Sequence, residues 1–198
     1  MSKVIDVAIS AQGLLNKTRS ADFLAPLLIR IYLFPVFWMA GYNKLTGFEG
    51  TVGWFNSMGF PAPELMVVLA ISAELAGAVL LLIGIAVRWA TIPLMFTMLI
   101  AMSSVHLENG WFAISDSSVC MFNCEKYEEA QIRKDKAKEI LKKHSNYSWI
   151  TEKGSITILN NGIEFAATYF IMLLMLFFVG AGKYLSVDYW IKESINKH

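Results

Sequence analysis

The stretch 65-LMVVLAISAELAGAVLLLIGIAV-87 decides the fold. It holds one charge, Glu74, in a run long enough to cross a bilayer, which takes about 20 apolar residues as a helix. An open strand in lipid would leave its backbone groups without partners, so a helix is what the run dictates. Three more runs share its character. Residues 23–42 are broken by Arg30 and carry Pro35, residues 89–107 close on His106, and residues 161–182 have Glu164 near their start. All are too long and continuous for the ~10-residue alternating strands of a membrane barrel. Trp38, Trp89 and Trp111 fall near run ends, where aromatic rings favour the headgroup level. The expected fold is all-α: an integral membrane four-helix bundle, a single membrane domain over residues 1–198.

Composition agrees. Of 198 residues, 56% are hydrophobic and only 17% charged, against roughly 25% charged in soluble domains. A net charge of +1 supplies no basic field for phosphates, which excludes a nucleic-acid binder. There is no glycine-rich phosphate loop. The first 20 residues carry Lys3, Asp6, Lys17 and Arg19 without an uninterrupted apolar stretch, unlike a secretory signal. Val4, Ile5, Ala8 and Leu15 fall roughly at helical spacing, the pattern of a short amphipathic helix on the membrane surface.

The connections differ in kind. Arg88 and Trp89 alone separate the second and third runs, so those helices form a tight hairpin. Residues 43–64 hold Gly47, Gly50, Gly53, Gly59, Pro61 and Pro63 and read as a turn-rich cap. Residues 108–160 are the one large extramembrane loop. Within it, 125–144 are highly charged, yet Tyr127, Ala130, Ala137 and Leu141 repeat at a helical period, so a helix is expected. With an even number of spans, Lys3, Lys17, Arg19, Arg88, Lys183, Lys192 and Lys197 share one side with both termini. The positive-inside bias makes that side cytoplasmic and places loop 108–160 in the periplasm.

An ionisable side chain inside a span costs at least a few kcal/mol and marks a functional position. Glu74 lies nine residues past Leu65, about 14 Å along a helix. Ala70, Gly77 and Gly84 share its face, which turns it toward other helices. Arg30 is its expected partner, since the two come to similar depths when 23–42 is measured from Tyr42. A structural ion pair that fixes helix register is the competing reading. Lys44, His106, Glu108 and Glu164 are expected together near the opposite ends of their helices. His106 offers a metal ligand or proton shuttle, or serves as an interfacial polar residue. Asn161 followed by Glu164 has the spacing of a helix capping box. Met98, Met102 and His106 fall at i, i+4 and i+8, a stripe that suits Cu(I) or plain packing.

The only cysteines are Cys120 and Cys124, both in the loop. They read as a reducible disulfide that cycles with a partner, as a soft thiolate pair for copper, or as a static staple. Their spacing is not the Cys-x-x-Cys of thioredoxin-like sites.

Read in order, several stretches resemble the DoxX family of small four-helix membrane proteins. Arg30 opens a segment that reaches Ala40-Gly41-Tyr42-Asn43-Lys44, like the family's arginine followed by Gly-x-x-Lys. Then come Gly59-Phe60-Pro61, Glu74-Leu75-Ala76-Gly77 with Gly84 and Arg88, and the histidine-bearing Val105-His106-Leu107-Glu108-Asn109-Gly110-Trp111. The stretches 34-FPVFWMAG-41, 106-HLENGW-111 and 159-LNNGIEFAATY-169 are most similar to the HvfX type, which is associated with clusters that make copper-binding modified peptides.

The resemblance implies a bacterial inner-membrane protein. Two roles follow from it. In one, the chain serves copper-binding-peptide maturation or copper handling, with Cys120, Cys124 and His106 meeting copper or a peptide thiol. In the other, it is a membrane subunit of a quinone-linked oxidoreductase. Glu74, Arg30 and His106 would then relay protons to the quinone, supported by Lys44, Glu108, Glu164, Met98 and Met102. A non-catalytic scaffold is the third alternative. Expected partners are the lipid membrane and a modified copper-binding peptide or its maturation enzymes, with a homo-oligomer left open. No haem or flavin signature is visible.

Overall fold

The structure, a computed structural model, describes residues 2–114 and 120–197. Its helices are α1 (Ser2–Lys17), α2 (Leu24–Thr46), α3 (Phe48–Ser57), α4 (Pro63–Ile83), α5 (Val87–Ile100), α6 (Cys124–His144), α7 (Tyr147–Ile150), α8 (Glu164–Val179) and α9 (Val187–Ile195). A π-helical stretch, Ala101–His106, and a 3₁₀ turn, Leu107–Asn109, prolong α5. Among the described residues the β pairing is one isolated bridge, Ile114 with Leu159. The protein is an all-α membrane protein. Leu28, Ile31, Met39, Leu69, Phe96, Ile171 and Phe178 are exposed, an outward apolar surface that needs lipid rather than water.

Among the described residues, three helical segments are long and apolar enough to cross a membrane: Leu24–Thr46, Pro63–Ile83 and Val87–Asn109. The fourth expected span is shorter than residues 161–182. Helix α8 has 16 residues, about 24 Å, against a hydrocarbon core of about 30 Å. Residues 160–164 give their backbone N–H groups to carbonyls of 110–113 before the helix starts. Beyond Val179, Gly180 and Gly182 have φ of +82° and +85°, which an α-helix does not accept.

The chain forms two compact units, residues 1–95 with 172–198, and residues 96–171. In the first, α2 and α4 pack along each other. Gly41 and Gly77 permit the close approaches. A Cβ on Gly41 would meet Leu75 and Glu74, and one on Gly77 would lie within 3.0 Å of three Leu94 side-chain atoms. The turn-rich cap expected over 43–64 instead contains α3. Phe55 drives this, burying itself with Val67 and Ile71 of α4, and that burial outweighs the helix penalty of Gly50 and Gly53. The tight α4–α5 hairpin is present, but its turn is Gly84–Ala86, and Arg88 and Trp89 already belong to α5. Gly84 caps α4 at φ +77°.

Helix α1 forms as expected and exposes Ile5, Val7, Ile9 and Leu15; the side chains of Val4 and Ala8 lie outside the described ones. Helix α9, with Trp190, Ile191 and Ile195 exposed, was not expected. In the second unit α6 matches the helix expected over 125–144. Tyr127 and Ala130 are buried and Ala137 and Leu141 half-buried, so the helical period picked out the covered face.

Candidate functional site

Two charges are buried in the spans of the first unit, and they are not partners. Glu74 is 3% exposed. Its carboxylate accepts from Lys44 Nζ at 2.8 Å to Oε1 and 2.7 Å to Oε2. Lys44 keeps 24% of its side chain accessible, so this ion pair runs from the packed interior toward the surface. The expected Glu74–Arg30 pairing is thereby corrected. Run one was ended at Tyr42, but α2 continues to Thr46 and takes Lys44 into the helix. Lysine's long stem then reaches back along α2 to a carboxylate that needs a cation. Gly41, one turn before Lys44, lets α4 approach, which gives the Gly41-x-x-Lys44 spacing a physical meaning: closeness first, charge one turn later.

Arg30, 1% exposed, holds backbone. Its Nε donates to Leu81 O at 2.6 Å and its Nη2 to Leu82 O at 2.9 Å. Nη1 donates to Ala181 O at 2.8 Å and to Leu185 O at 3.0 Å. Leu81 and Leu82 lie in the last turn of α4, where helix carbonyls lack intrahelical donors. Arg30 therefore caps α4 from another helix and ties in the turn after α8. Asp188 clamps the same hairpin, accepting from Ala86 N at 2.7 Å and Val87 N at 3.0 Å at the start of α5. Asp188 and the α9 cap Ser186, whose Oγ accepts from Tyr189 N, were missed from the sequence. Ser186-Val187-Asp188 just before an apolar run was the available signal.

The remaining expected residues lie in the second unit and form a backbone knot. His106 Nδ1 stands 2.8 Å from Asn161 O; a carbonyl only accepts, so Nδ1 carries the proton and Nε2 keeps its lone pair in the neutral ring. Asn160 Nδ2 donates to Asn109 O at 2.5 Å and to Phe112 O at 3.1 Å. Gly162 sits under three carbonyls, and a Cβ there would lie 2.5–2.7 Å from those of Gly110, Trp111 and Phe112. The stretches 106–111 and 159–169 are thus two strands of one knot. The capping box at Asn161 does not form: Glu164 Oε2 accepts from Ala113 N at 2.9 Å, and Asn161 N donates to Ala113 O. The Met98–Met102–His106 stripe assumed α spacing, whereas 101–106 wind as a π-helix. Of the expected Lys44, His106, Glu108 and Glu164 group, Lys44 is committed to Glu74 in the first unit, and the other three belong to the second.

Cys120 and Cys124 are joined as a disulfide. A resident copper site does not fit these residues as they stand. The bond withholds both thiolates, and among the described residues no three His, Cys, Asp or Glu side chains gather around a metal position. The Lys44–Glu74 pair sets a cationic hydrogen-bond donor beside a carboxylate within the spans, the two kinds of group that a quinone head group would ask for.

Residues 25–107 match the family model described as DoxX. That segment is similar to the DoxX family. It carries α2–α5 and contains Arg30, Lys44, Glu74 and His106. Over 79 residues the chain is 34% identical to "Inner membrane protein YphA" of Escherichia coli (strain K12), covering 37% of this chain and 56% of that protein. Over 85 residues it is 34% identical to "Putative oxidoreductase CatD" of Bacillus subtilis (strain 168), covering 43% of this chain and 62% of that protein. The matches thus span less than two thirds of these relatives' own lengths. No solved structure matches. By its apolar helices the chain is a multi-pass membrane protein, and the α6 loop lies outside residues 25–107.

Proposed function

We propose that this protein is the membrane subunit of an oxidoreductase, with Lys44 and Glu74 as its quinone-facing proton site. The buried Lys44–Glu74 ion pair inside the DoxX segment carries the reading, and the similarity to a protein named as an oxidoreductase supports it. A quinone bound there would supply two-electron redox chemistry with two protons taken up on reduction. Lys44 would donate a hydrogen bond to a quinone oxygen from the more exposed end of the pair. Glu74 would take up a proton at its carboxyl once Lys44 turns toward the quinone, since the buried carboxylate is then left without its cation, and would give it up when Lys44 returns. Arg30 holds the α4 end in place and takes no part in proton transfer.

The test uses detergent-purified protein and a short-chain ubiquinone, read as thermal stabilisation. Wild-type protein should be stabilised, and Glu74→Gln and Lys44→Met should lose at least tenfold in apparent affinity while staying folded. Unchanged affinity in both variants would end this reading. The accompanying topology has both termini in the cytoplasm and loop 108–160 in the periplasm. An impermeant thiol reagent should then label reduced Cys120 and Cys124 on intact spheroplasts, and labelling only after lysis would invert it.

Copper-binding-peptide maturation is the second reading, carried by the proton on His106 Nδ1, which leaves Nε2 as an available donor. Reduced protein loaded anaerobically with Cu(I) should keep about one copper, lost in Cys120→Ser/Cys124→Ser. No retained copper removes the direct copper role.

A further inference from the structure

The Cys120–Cys124 disulfide makes a poor staple. It closes a loop with a sequence separation of only four, and the chain-entropy gain from a cross-link is smallest for short loops. The segment it would secure is held by other contacts. Asn123 Nδ2 donates to Leu107 O at 2.9 Å, and Phe122 O packs so closely on Gly110 that a Cβ there would lie 2.6 Å away. The start of α6 is thus fixed to residues 107–110 without any sulfur bond.

What the disulfide does have is access and an asymmetric setting. Both cysteines are exposed. Cys124 lines an open cleft of about 550 Å³ with Glu108, Asn123, Glu125 and Lys126. It is also the first residue of α6, a helix of 21 residues. The side chain of Asn123, the residue in the cap position, is turned to Leu107 and makes no capping bond to the helix. The first turn of α6, which begins at Cys124, therefore has no side-chain cap from Asn123. A helix N-terminus of this kind stabilises a thiolate, and in thiol–disulfide exchange the sulfur that leaves as the more stable thiolate leaves faster. Cys120 lies outside a helix, with its Sγ 3.8 Å from Phe122 O.

We propose that Cys120–Cys124 is a thiol–disulfide exchange site that oxidises the paired thiols of an extramembrane peptide or protein, with Cys120 as the attacked sulfur and Cys124 as the leaving one. A substrate thiolate attacks Cys120 Sγ and the Sγ–Sγ bond breaks. The electron pair departs on Cys124 Sγ, which then takes up a proton. The substrate's second thiol loses its proton and attacks the substrate sulfur of the mixed disulfide, releasing Cys120 as a thiolate. The substrate loses two electrons and becomes a disulfide, and the cysteine pair gains both and becomes a dithiol. A quinone-class oxidant that accepts two electrons and two protons would restore the bond. Only that restoring step rests on the quinone reading above; the exchange stands independently.

The experiment uses full-length oxidised protein in lipid nanodiscs and a reduced synthetic peptide bearing two cysteines. Exchange is read by intact mass and maleimide labelling. The oxidised synthetic peptide 120–126 serves as a reference that has the sulfurs but neither helix nor cleft. The protein should exchange at least tenfold faster than the reference. Cys124→Ser, which leaves Cys120 free, should trap a one-cysteine version of the peptide, supplied as its activated aryl mixed disulfide, as a stable protein–peptide disulfide, and Cys120→Ser should trap it at least tenfold less. Exchange no faster than the reference would overturn the proposal, as would equal trapping by the two variants. Loss of α6 helicity in Cys120→Ser/Cys124→Ser would restore the staple. Failure of ubiquinone binding with exchange intact would sink the quinone reading alone.

Discussion

Arg30 and Glu74 are both charges buried in the α2–α4 pair, and their surroundings are opposite in kind. Arg30 makes four hydrogen bonds, all to backbone carbonyls. None of those acceptors titrates, and two of them, Leu81 O and Leu82 O, belong to the last turn of α4. Glu74 depends on one titratable side chain, Lys44, which is partly open to the surroundings. A buried charge satisfied by backbone is architecture, whereas one satisfied by a single mobile cation can exchange that partner for a ligand or a proton. Burial alone, which marks both residues, does not separate the two roles; the identity of the partner does.

That contrast can be broken by substitution. Arg30→Met should cost about 3–5 kcal/mol, because it strips donors from carbonyls at a helix end; a near-wild-type melting curve in detergent would make Arg30 dispensable. Gly84→Ala should cost about 1–3 kcal/mol, because its left-handed backbone is strained for alanine and the new Cβ falls on the Arg30 guanidinium. The part due to the Arg30 clash should vanish in Arg30→Met/Gly84→Ala and leave the backbone strain, as a double-mutant cycle would show. Lys44→Met should be milder, about 1–2 kcal/mol, since Glu74 can take up a proton when its cation is gone. Lys44→Met/Glu74→Leu should return to within about 1 kcal/mol of wild type while still failing to bind quinone. A double variant as unstable as Arg30→Met would make the pair architectural as well.

The smallest effect belongs to the Asp22–Lys183 pair at the surface. The hydrogen bond from Asp22, then its charge, holds the Lys183 ammonium above the usual lysine range. A raised lysine value contributes stability that is complete below the ordinary value of about 10.4 and is lost as pH climbs through the raised one. Asp22→Asn should therefore make Lys183 more reactive toward amine reagents near pH 10 and leave the melting temperature at neutral pH unchanged. A clear drop at neutral pH would show that this exposed pair matters more than such pairs usually do.

Much of the molecule was legible because lipid imposes simple rules. Run 65–87 was read as a helix from length and composition, and α4, Pro63–Ile83, covers most of it. The loop helix was found from the period of Tyr127, Ala130, Ala137 and Leu141. Charged residues caused the errors. Ending run one at Tyr42 excluded Lys44 from the helix and handed Glu74 to Arg30. Counting glycines in 43–64 hid α3, whose reason is Phe55 packing on α4. Asn161 and Glu164 have capping-box spacing, yet Glu164 turns to Ala113 because the Gly110–Ala113 backbone passes there.

The sequence by itself determined that this chain is helical, membrane-embedded and marked by Glu74, because apolar length and the cost of a charge in lipid act locally and add along the chain. Only the tertiary structure decided which cation meets Glu74, that Arg30 serves carbonyls, and that Cys120 and Cys124 are bonded beside an open helix end. Those outcomes depend on where two distant stretches of backbone come close, and at Gly41, Gly84 and Gly162 that closeness is set by a missing Cβ whose meaning appears only once its neighbour is in place.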